Sequence, residues 1–325
     1  MPLSDLTLDE CHAYRSTALD PPGFDEFWSG VTASSGEASF AETSFAEVAT
    51  SLKTLRVYDV SFPGHAEQPV RGWFVTPAGA DGPLPCVVEF PGYNGGRGLP
   101  EDCLLYASAG YAHLFIDVRG QGSGWRRGDT EDHEPEGTGP QHPGFMTRGI
   151  LDPARHFYRR VIEDAVRAVH TARSHELVDP ARVAVAGVSQ GGGLALAVAG
   201  LVPDLAAVSA DVPFLCDMRR GAERAAMGPY LEVAGYLKVH RDRVATVFNT
   251  LSHFDGVNFA KRATAPALFS AALMDTTCPP STVFGAYHNY AGPKRIEVYP
   301  FNAHEGGETV QHAERLRFFA DLLHP

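Results

Sequence analysis

The sequence is short of positive charge and has no long apolar run. Its 27 lysines and arginines face 39 acidic residues, so the formal net charge over 325 residues is −12. An acidic surface repels phosphate backbones and anionic lipids, so neither nucleic acid nor a membrane surface is an expected partner. No uninterrupted apolar stretch reaches the length of about 18 residues that a transmembrane helix needs.

The cysteines do not have the pattern of a disulfide-stabilised secreted protein. There are five, an odd number, and no CxxC pair occurs. Cys86 stands inside an apolar run, as expected for a buried, reduced thiol. Residues 1–15 are polar and acidic, and they lack the basic and then apolar segments of a secretion signal. These features predict a cytoplasmic protein without a disulfide framework.

Short apolar runs and amphipathic segments alternate along most of the chain, as in a mostly parallel sheet covered by helices on both faces. Residues 57–62 and 72–76 are predicted to form a hairpin ahead of this series. We predict one α/β domain over residues 1–325. Its further elements are strands at 86–90, 112–118, 182–186, 206–212, 267–273 and 295–299, and helices at 99–109, 157–173, 191–201 and 309–323.

Three stretches depart from the alternation. Residues 1–50 are predicted to form a helical N-terminal extension, and the aromatic residues of FDEFW (24–28) are expected to pack it onto the body. Residues 124–148 form a long polar loop. Residues 217–261 form a helical insertion between two strands of the sheet. Excursions of this length in a compact domain are often lids or contact surfaces.

Residues 187–191 contain a G-x-S-x-G element, Gly-Val-Ser-Gln-Gly. An apolar strand precedes it, and a helix rich in glycine and alanine follows. Glycines permit the sharp strand-to-helix turn that exposes the serine, and the helix N-terminus favours negative charge nearby. The bare pattern also occurs in glycine-rich turns, but this context predicts Ser189 as the nucleophile of an α/β-hydrolase fold.

A serine hydroxyl is a weak nucleophile, so it needs a base and a carboxylate that orients the base. In this fold the acid and then the histidine follow the serine, each at the end of a later strand. Asp275 follows the predicted strand at 267–273, and His304 follows the one at 295–299. The order and the placement predict a Ser189–His304–Asp275 triad.

Other candidate residues fit this placement less well. Asp255 competes for the role of the acid, but no strand of the sheet precedes it. His288 and His312 lie inside predicted helices. His304-Glu305 is not followed by the second histidine of an H-E-x-x-H zinc motif, and neither a P-loop nor G-x-G-x-x-G spacing occurs. The sequence therefore predicts no metal and no cofactor.

Acyl transfer also needs N–H donors for the oxyanion. The residue after the nucleophile, Gln190, is expected to supply one backbone N–H. The second donor comes from the loop after an early strand, where the run at 86–90 leads directly into PGYNGG. We nominate the N–H of Tyr93, although these glycines also suit an ordinary tight turn. The Tyr93 side chain would also line the substrate pocket.

Sequence runs spread over most of the chain match the pattern of one enzyme family. They are FDEFW (24–28), GYNGGRG (92–98), DVRGQGSGW (117–125), PGFMTRGILDP (143–153), YRRVIEDAVRAV (158–169), GVSQGG (187–192), DVPFLC (211–216), FDGVNFA (254–260), LMDTTCPPSTVF (273–284), YAGPK (290–294) and HEGG (304–307). In these runs the chain resembles the acetyl xylan esterase and cephalosporin-C deacetylase family, carbohydrate esterase family 7.

The resemblance implies a function for the predicted site. By motif, Ser189, Asp275 and His304 are the triad, and Tyr93 and Gln190 supply the oxyanion N–H groups. Such an enzyme removes acetyl groups from short xylo-oligosaccharides and cephalosporin C through an acyl-enzyme, without a metal. The resemblance also implies a cyclic homohexamer with active sites facing an inner cavity. The cytoplasmic location expected above is coherent with it, since imported oligosaccharides would be the substrates. The alternative is a hydrolase of the same fold that acts on other small esters, lactones or peptides.

Overall fold

The computed structural model describes residues 5–34, 42–134 and 139–323. Over these residues the strands form one nine-stranded sheet. The strands are β1 (Ser44–Val48), β2 (Leu55–Pro63), β3 (Pro69–Pro77), β4 (Leu84–Phe90), β5 (Ala112–Ile116), β6 (Val178–Val188), β7 (Ala207–Asp211), β8 (Ala267–Ala272) and β9 (Lys294–Tyr299). Their order is β1-β2-β3-β5-β4-β6-β7-β8-β9. Strands β4 to β9 are parallel, and β1 to β3 add an antiparallel edge.

Helices cover both faces of this sheet. Alternate residues of β4 point to opposite faces, as the pleat requires. Val88 packs in one apolar cluster with Leu194, whereas Val87 packs in another with Phe319. This confirms the predicted helix-covered parallel sheet. Over the described residues the helices are α1 (Leu8–Ala13), α2 (Phe24–Ser34), α3 (Leu105–Ser108), α4 (Phe157–Arg173), α5 (Gln190–Leu201), α6 (Met218–Arg224), α7 (Tyr230–Val239), α8 (Val244–Ser252), α9 (Gly256–Ala260), α10 (Pro280–Asn289) and α11 (Glu308–Leu323).

Two sequence predictions are wrong in detail. Residues 44–48 form strand β1, not a helix or a loop. Phe45, which packs on Phe74 at 5.4 Å, is its one large aromatic residue that faces inward. A single such residue gives too weak an alternation of apolar and polar positions to predict a strand from the sequence. The helix predicted at 99–109 is confined to Leu105–Ser108. Ahead of it Pro100–Asp102 form a 3₁₀ turn, because the Asp102 carboxylate accepts the N–H of Leu99 at 3.0 Å.

The N-terminal extension packs on the helical insertion. The indole N–H of Trp28, which is buried, donates to the carbonyl oxygen of His253 at 3.0 Å. The Tyr14 hydroxyl donates to Oδ2 of Asp217 at 2.7 Å. FDEFW packs onto the body as predicted, and the extension contacts α6, α8 and α9.

The polar loop predicted at 124–148 has neither helix nor strand in its described parts, 124–134 and 139–148. Its remaining residues, 135–138, lie outside the described ranges. Among the residues that the structure covers, no helix combines the length and the apolar character required to cross a bilayer.

Candidate active site

Ser189 lies at the sharp turn between β6 and α5. Its backbone has φ 59° and ψ −118°, a strained conformation for a residue with a side chain. The residues two positions before and after it must be glycine: a Cβ on Gly187 would lie 2.2 Å from the backbone of Gly191, and one on Gly191 would lie 2.0 Å from the carbonyl oxygen of Phe90. The turn thus presents the serine hydroxyl at the carboxyl edge of the parallel strands.

The three predicted triad residues meet at this edge. The Ser189 hydroxyl lies 2.9 Å from Nε2 of His304, and Nδ1 of His304 lies 2.8 Å from Oδ2 of Asp275. A carboxylate only accepts, so Nδ1 carries the proton and Nε2 is left to accept the proton of the serine. The Asp275 side chain is 0% exposed and that of His304 is 33% exposed, so the base is reachable while the acid is enclosed.

The turn after β8 holds the Asp275 carboxylate in place. Its Oδ1 accepts the backbone N–H groups of Thr277 at 2.8 Å and Cys278 at 2.9 Å. These bonds leave Oδ2 directed at His304. Hydrogen bonds to a carboxylate from fixed backbone donors are strong, so the acid keeps one orientation.

Asp255, the competing acid, has a structural role elsewhere. Its carboxylate accepts the backbone N–H groups of Asp217, Met218 and Val257 at 2.8, 2.8 and 2.9 Å. It caps helix α9, and burial together with the nearby Asp217 carboxylate raises its pKa to about 7. The carboxylate that reaches His304 is that of Asp275.

Tyr93 lies in the turn that follows β4. The N–H of Gly95 donates to the carbonyl oxygen of Gly92 at 3.0 Å, which closes the turn. The indole N–H of Trp125 donates to the carbonyl oxygen of Tyr93 at 2.9 Å and so restrains the peptide after it. Tyr93 lines the same cavity as Ser189. The segment around Tyr93 therefore forms both the tight turn and the pocket wall that were inferred for it from the sequence.

Gln190 is the first residue of α5, where backbone N–H groups lack an intrahelical acceptor. Its buried side chain forms a reciprocal amide pair with Gln121, at 2.9 and 3.0 Å. The Gln121 oxygen also accepts the N–H of Asn94 at 2.8 Å, and the Gln190 oxygen accepts the Tyr158 hydroxyl at 2.8 Å. One buried network thus joins the turn after β4 to the start of α5.

A cavity of about 320 Å³ opens above the triad. Its wall is mostly apolar, and the indole of Trp125 at its edge is 60% exposed despite being held by a hydrogen bond. A cavity of this size suits a small ligand. The residues that line it are Gly92, Tyr93, Trp125, Val188, Ser189, Pro229, Thr277 and His304.

In the described part of the chain, the one cluster of potential metal ligands overlaps with the triad. Asp275, Cys278 and His304 have ligand atoms within 4.8 Å of one another. Two of these residues already bond to each other through Nδ1 and Oδ2. Burial raises the pKa of Cys278 well above its ordinary value, which disfavours the thiolate that metals bind. This donor set is therefore better suited to orienting an imidazole than to holding a cation.

Sequence reasoning missed three residues around the site. Gln121 and Trp125 belong to the run DVRGQGSGW, so a signal was present, but it pointed to no particular role. Glu232 has no motif. It lies in the insertion, and its Oε1 accepts the Tyr93 hydroxyl at 2.6 Å.

Residues 1–322 match the family described as acetyl xylan esterase (AXE1). The acetyl esterase Axe7A of Xylanibacter ruminicola is 30% identical over 210 residues, which are 63% of this chain and 45% of that protein. This chain therefore spans less than half of that longer relative.

Two solved structures are similar over nearly the whole chain. The acetyl xylan esterase from Paenibacillus sp. R4 has a TM-score of 0.91 at 40% identity, covering 98% of this chain and 100% of that one. Acetyl xylan esterase 1 from Thermoanaerobacterium sp. JW/SL YS485 has a TM-score of 0.88 at 31% identity, covering 98% and 99%. These similarities confirm the predicted α/β-hydrolase fold.

Proposed function

The chain belongs to the acetyl xylan esterase family, and on that basis we propose that it is a serine esterase that removes acetyl groups from acetylated xylo-oligosaccharides. The observation that carries this proposal is the hydrogen-bonded series Ser189–His304–Asp275, at 2.9 and 2.8 Å, at the floor of a small cavity. Nucleophile, base and orienting acid are the three parts that acyl transfer requires.

In the first half of the reaction, Oγ of Ser189 attacks the acetyl carbonyl carbon while Nε2 of His304 takes the hydroxyl proton. The carbonyl oxygen becomes an oxyanion, which the backbone N–H groups of Tyr93 and Gln190 stabilise. Asp275 stabilises the imidazolium that forms. The tetrahedral intermediate then breaks its bond to the sugar oxygen, and His304 returns the proton to that oxygen.

The second half releases acetate from the acyl-enzyme. A water molecule takes the place of the departed alcohol, and Nε2 of His304 removes its proton as the oxygen attacks the acyl carbon. The same two N–H donors stabilise the second oxyanion. Collapse breaks the bond to Oγ of Ser189, which regains its proton from His304.

The cavity supports a short acyl group and an alcohol with a flat apolar face. The acyl group and the alcohol share about 320 Å³, so a long acyl chain would compete with the sugar ring for space. The exposed indole of Trp125 offers a rigid face on which a sugar ring can stack. We extend the proposal to cephalosporin C, whose acetyl group is likewise carried on a ring system.

We also propose that residues 1–325 are one domain, that it assembles into a cyclic homohexamer, and that it works in the cytoplasm. Exposed apolar side chains on the insertion support an oligomer contact: Met227 is 61% and Val239 is 71% exposed. The five cysteines, all buried as free thiols, support a reducing compartment. Light scattering that finds a monomer at micromolar concentration would contradict the assembly.

Acetate release tests the proposed activity. We expect the protein to deacetylate xylo-oligosaccharides and cephalosporin C but to leave a small peptide ester nearly untouched, and we expect Ser189→Ala to be inactive. Ser51→Ala, at an exposed position, is the matched control. A serine-directed phosphonate should abolish the rate, and EDTA should not change it. Preference for the peptide ester, or full activity of Ser189→Ala, would reject the proposal.

A further inference from the structure

Glu232, on helix α7 of the insertion, forms a hydrogen bond with Tyr93. The Tyr93 hydroxyl donates to Oε1 of Glu232 at 2.6 Å, and the N–H of Met146 donates to Oε2 at 2.9 Å. The N–H of Phe145 donates to the Tyr93 hydroxyl oxygen at 2.7 Å. Each oxygen of this pair therefore has a defined partner, which holds the tyrosine ring in one orientation.

The backbone at Gly144 passes close to the Glu232 carboxylate and leaves no room for a side chain there. Gly144 has φ +123°, and a Cβ there would lie 2.1 Å from the Glu232 carboxyl carbon. Only glycine therefore lets the carboxylate approach the two N–H groups that follow in the chain. The Tyr93 ring packs edge-on against Phe145 at 5.7 Å and Phe214 at 6.1 Å.

The charges agree with the direction of the hydrogen bond. Burial and the adjacent Glu232 carboxylate raise the pKa of Tyr93, so its hydroxyl stays protonated and remains a donor. Burial also raises the pKa of Glu232, against the lowering effect of the hydrogen bonds from Tyr93 and Met146.

The same segment of the insertion also contacts the turn that carries the acid. The N–H groups of Ala226 and Met227 donate to the carbonyl oxygen of Thr276 at 2.9 and 3.1 Å. Pro229, which directly precedes α7, lines the cavity above the triad. Residues 226–232 thus join the turn of Asp275 to the turn of Tyr93.

We propose that Glu232 is a positioning residue for the reaction: it holds the Tyr93 side chain so that the backbone N–H of Tyr93 faces the developing oxyanion. The inference rests on the proposed function. Because Glu232 lies on α7, this role would make the insertion a part of the active site. Because an oxyanion forms only on the way through the transition state, a misplaced donor lowers kcat and leaves KM almost unchanged.

Four variants test this role. Glu232→Leu removes both acceptor oxygens, and we expect kcat to fall roughly 10- to 100-fold, less than the loss of a whole oxyanion donor. Glu232→Gln keeps one acceptor and should recover part of the rate. Tyr93→Phe keeps the backbone N–H but loses the hydroxyl, so it should match Glu232→Leu. Because the two act as one unit, the double variant should be no slower than either single variant.

The control is Glu223→Gln, an exposed acid of the same insertion whose ion pair with Arg219 lies on the surface. Rates are expressed per active site titrated to completion with a serine-directed phosphonate, so unfolded protein does not contribute. A trifluoromethyl ketone, which forms a hemiketal with the nucleophile, should lose affinity for Glu232→Leu by the same factor as kcat.

Several outcomes would overturn the inference. They are a wild-type kcat for Glu232→Leu, a rise in its KM without a fall in kcat, and an unchanged affinity of this variant for the ketone. Ser189→Ala separates this inference from the proposed function. If Ser189→Ala retains activity, the proposed function fails; if it is inactive while Glu232→Leu is as fast as the wild type, only the role of Glu232 fails.

Discussion

The side-chain amides of Gln121 and Gln190 face each other as a buried reciprocal pair, with hydrogen bonds of 2.9 and 3.0 Å. The pair connects the loop after β5 to the first residue of α5. Through the N–H of Asn94 it also reaches the turn that contains Tyr93. The spacing between the two proposed oxyanion donors, the N–H groups of Tyr93 and Gln190, therefore depends on Gln121, which supplies neither donor.

Replacing Gln121 by leucine should reduce the stabilisation of the transition state without unfolding the protein. The change leaves the N–H of Asn94 without its acceptor and removes both hydrogen bonds between the two glutamines, so the two turns can shift apart. We expect kcat/KM for an acetyl ester to fall roughly 10- to 100-fold, below the cost of losing a whole oxyanion donor. Gln141→Leu, at an exposed position, is the control. Equal rates for both variants would show that the amide pair is not needed.

Asp275→Asn should be far more damaging than its small change in size suggests. The backbone N–H groups of Thr277 and Cys278 hold the side-chain oxygen, so the new amide NH₂ would face His304. The imidazole would then have to place its proton on Nε2, where it cannot accept the serine proton. A comparable change elsewhere costs about 10⁴ in kcat. Exposed Asp321→Asn serves as the control, and a loss below tenfold would argue against Asp275 as the orienting acid.

The acyl group should be limited in length. The cavity of about 320 Å³ is lined by Trp125, Pro229 and Thr277, and the acyl group shares it with the alcohol part of the ester, so a longer acyl chain competes with that alcohol for space. We expect acetate and propionate esters of one alcohol to be cleaved well and the octanoate ester poorly. Initial rates on the acetate, butyrate and octanoate series measure this. Faster cleavage of octanoate would indicate a lipase-like site.

His156 should make folding stability depend on pH. It is fully buried, its Nε2 lies 3.0 Å from the carbonyl oxygen of Met146, and its Nδ1 accepts the N–H of Tyr158 at 3.3 Å. Burial lowers its pKa from 6.5 to about 4. Below pH 6.5 the unfolded chain binds a proton that the folded one refuses, so stability falls until pH 4, by about 1.4 kcal/mol per pH unit.

His156→Asn isolates this effect, because asparagine can still cap α4 but does not titrate. In urea unfolding at pH 7.5, 6, 5 and 4.5, the advantage of the wild type over the variant should shrink as the pH falls. His133→Asn, the same substitution at an exposed position, is the control variant. If the difference between wild type and His156→Asn stays constant with pH, the buried neutral imidazole is not the cause.

The identity and order of the candidate catalytic residues were readable from the sequence. Gly187 and Gly191 around Ser189 leave a local signature, because the strand-to-helix turn has no room for a Cβ at either position. Asp275 could be located because it follows a largely apolar strand, and His304 because it follows a strand in which apolar and charged residues alternate. The parallel sheet was predictable because most of its strands are buried on both faces, and such strands are almost continuously apolar.

The tertiary structure alone decided which residues support the site. Asp255 and Asp275 are both buried carboxylates, and only the fold shows that one caps a helix while the other reaches the imidazole. Glu232 lies 139 residues from Tyr93 along the chain, so no local pattern could have linked them. Turns and apolar strands leave periodic or steric marks in a sequence, whereas a hydrogen bond between distant side chains depends on how the intervening elements pack.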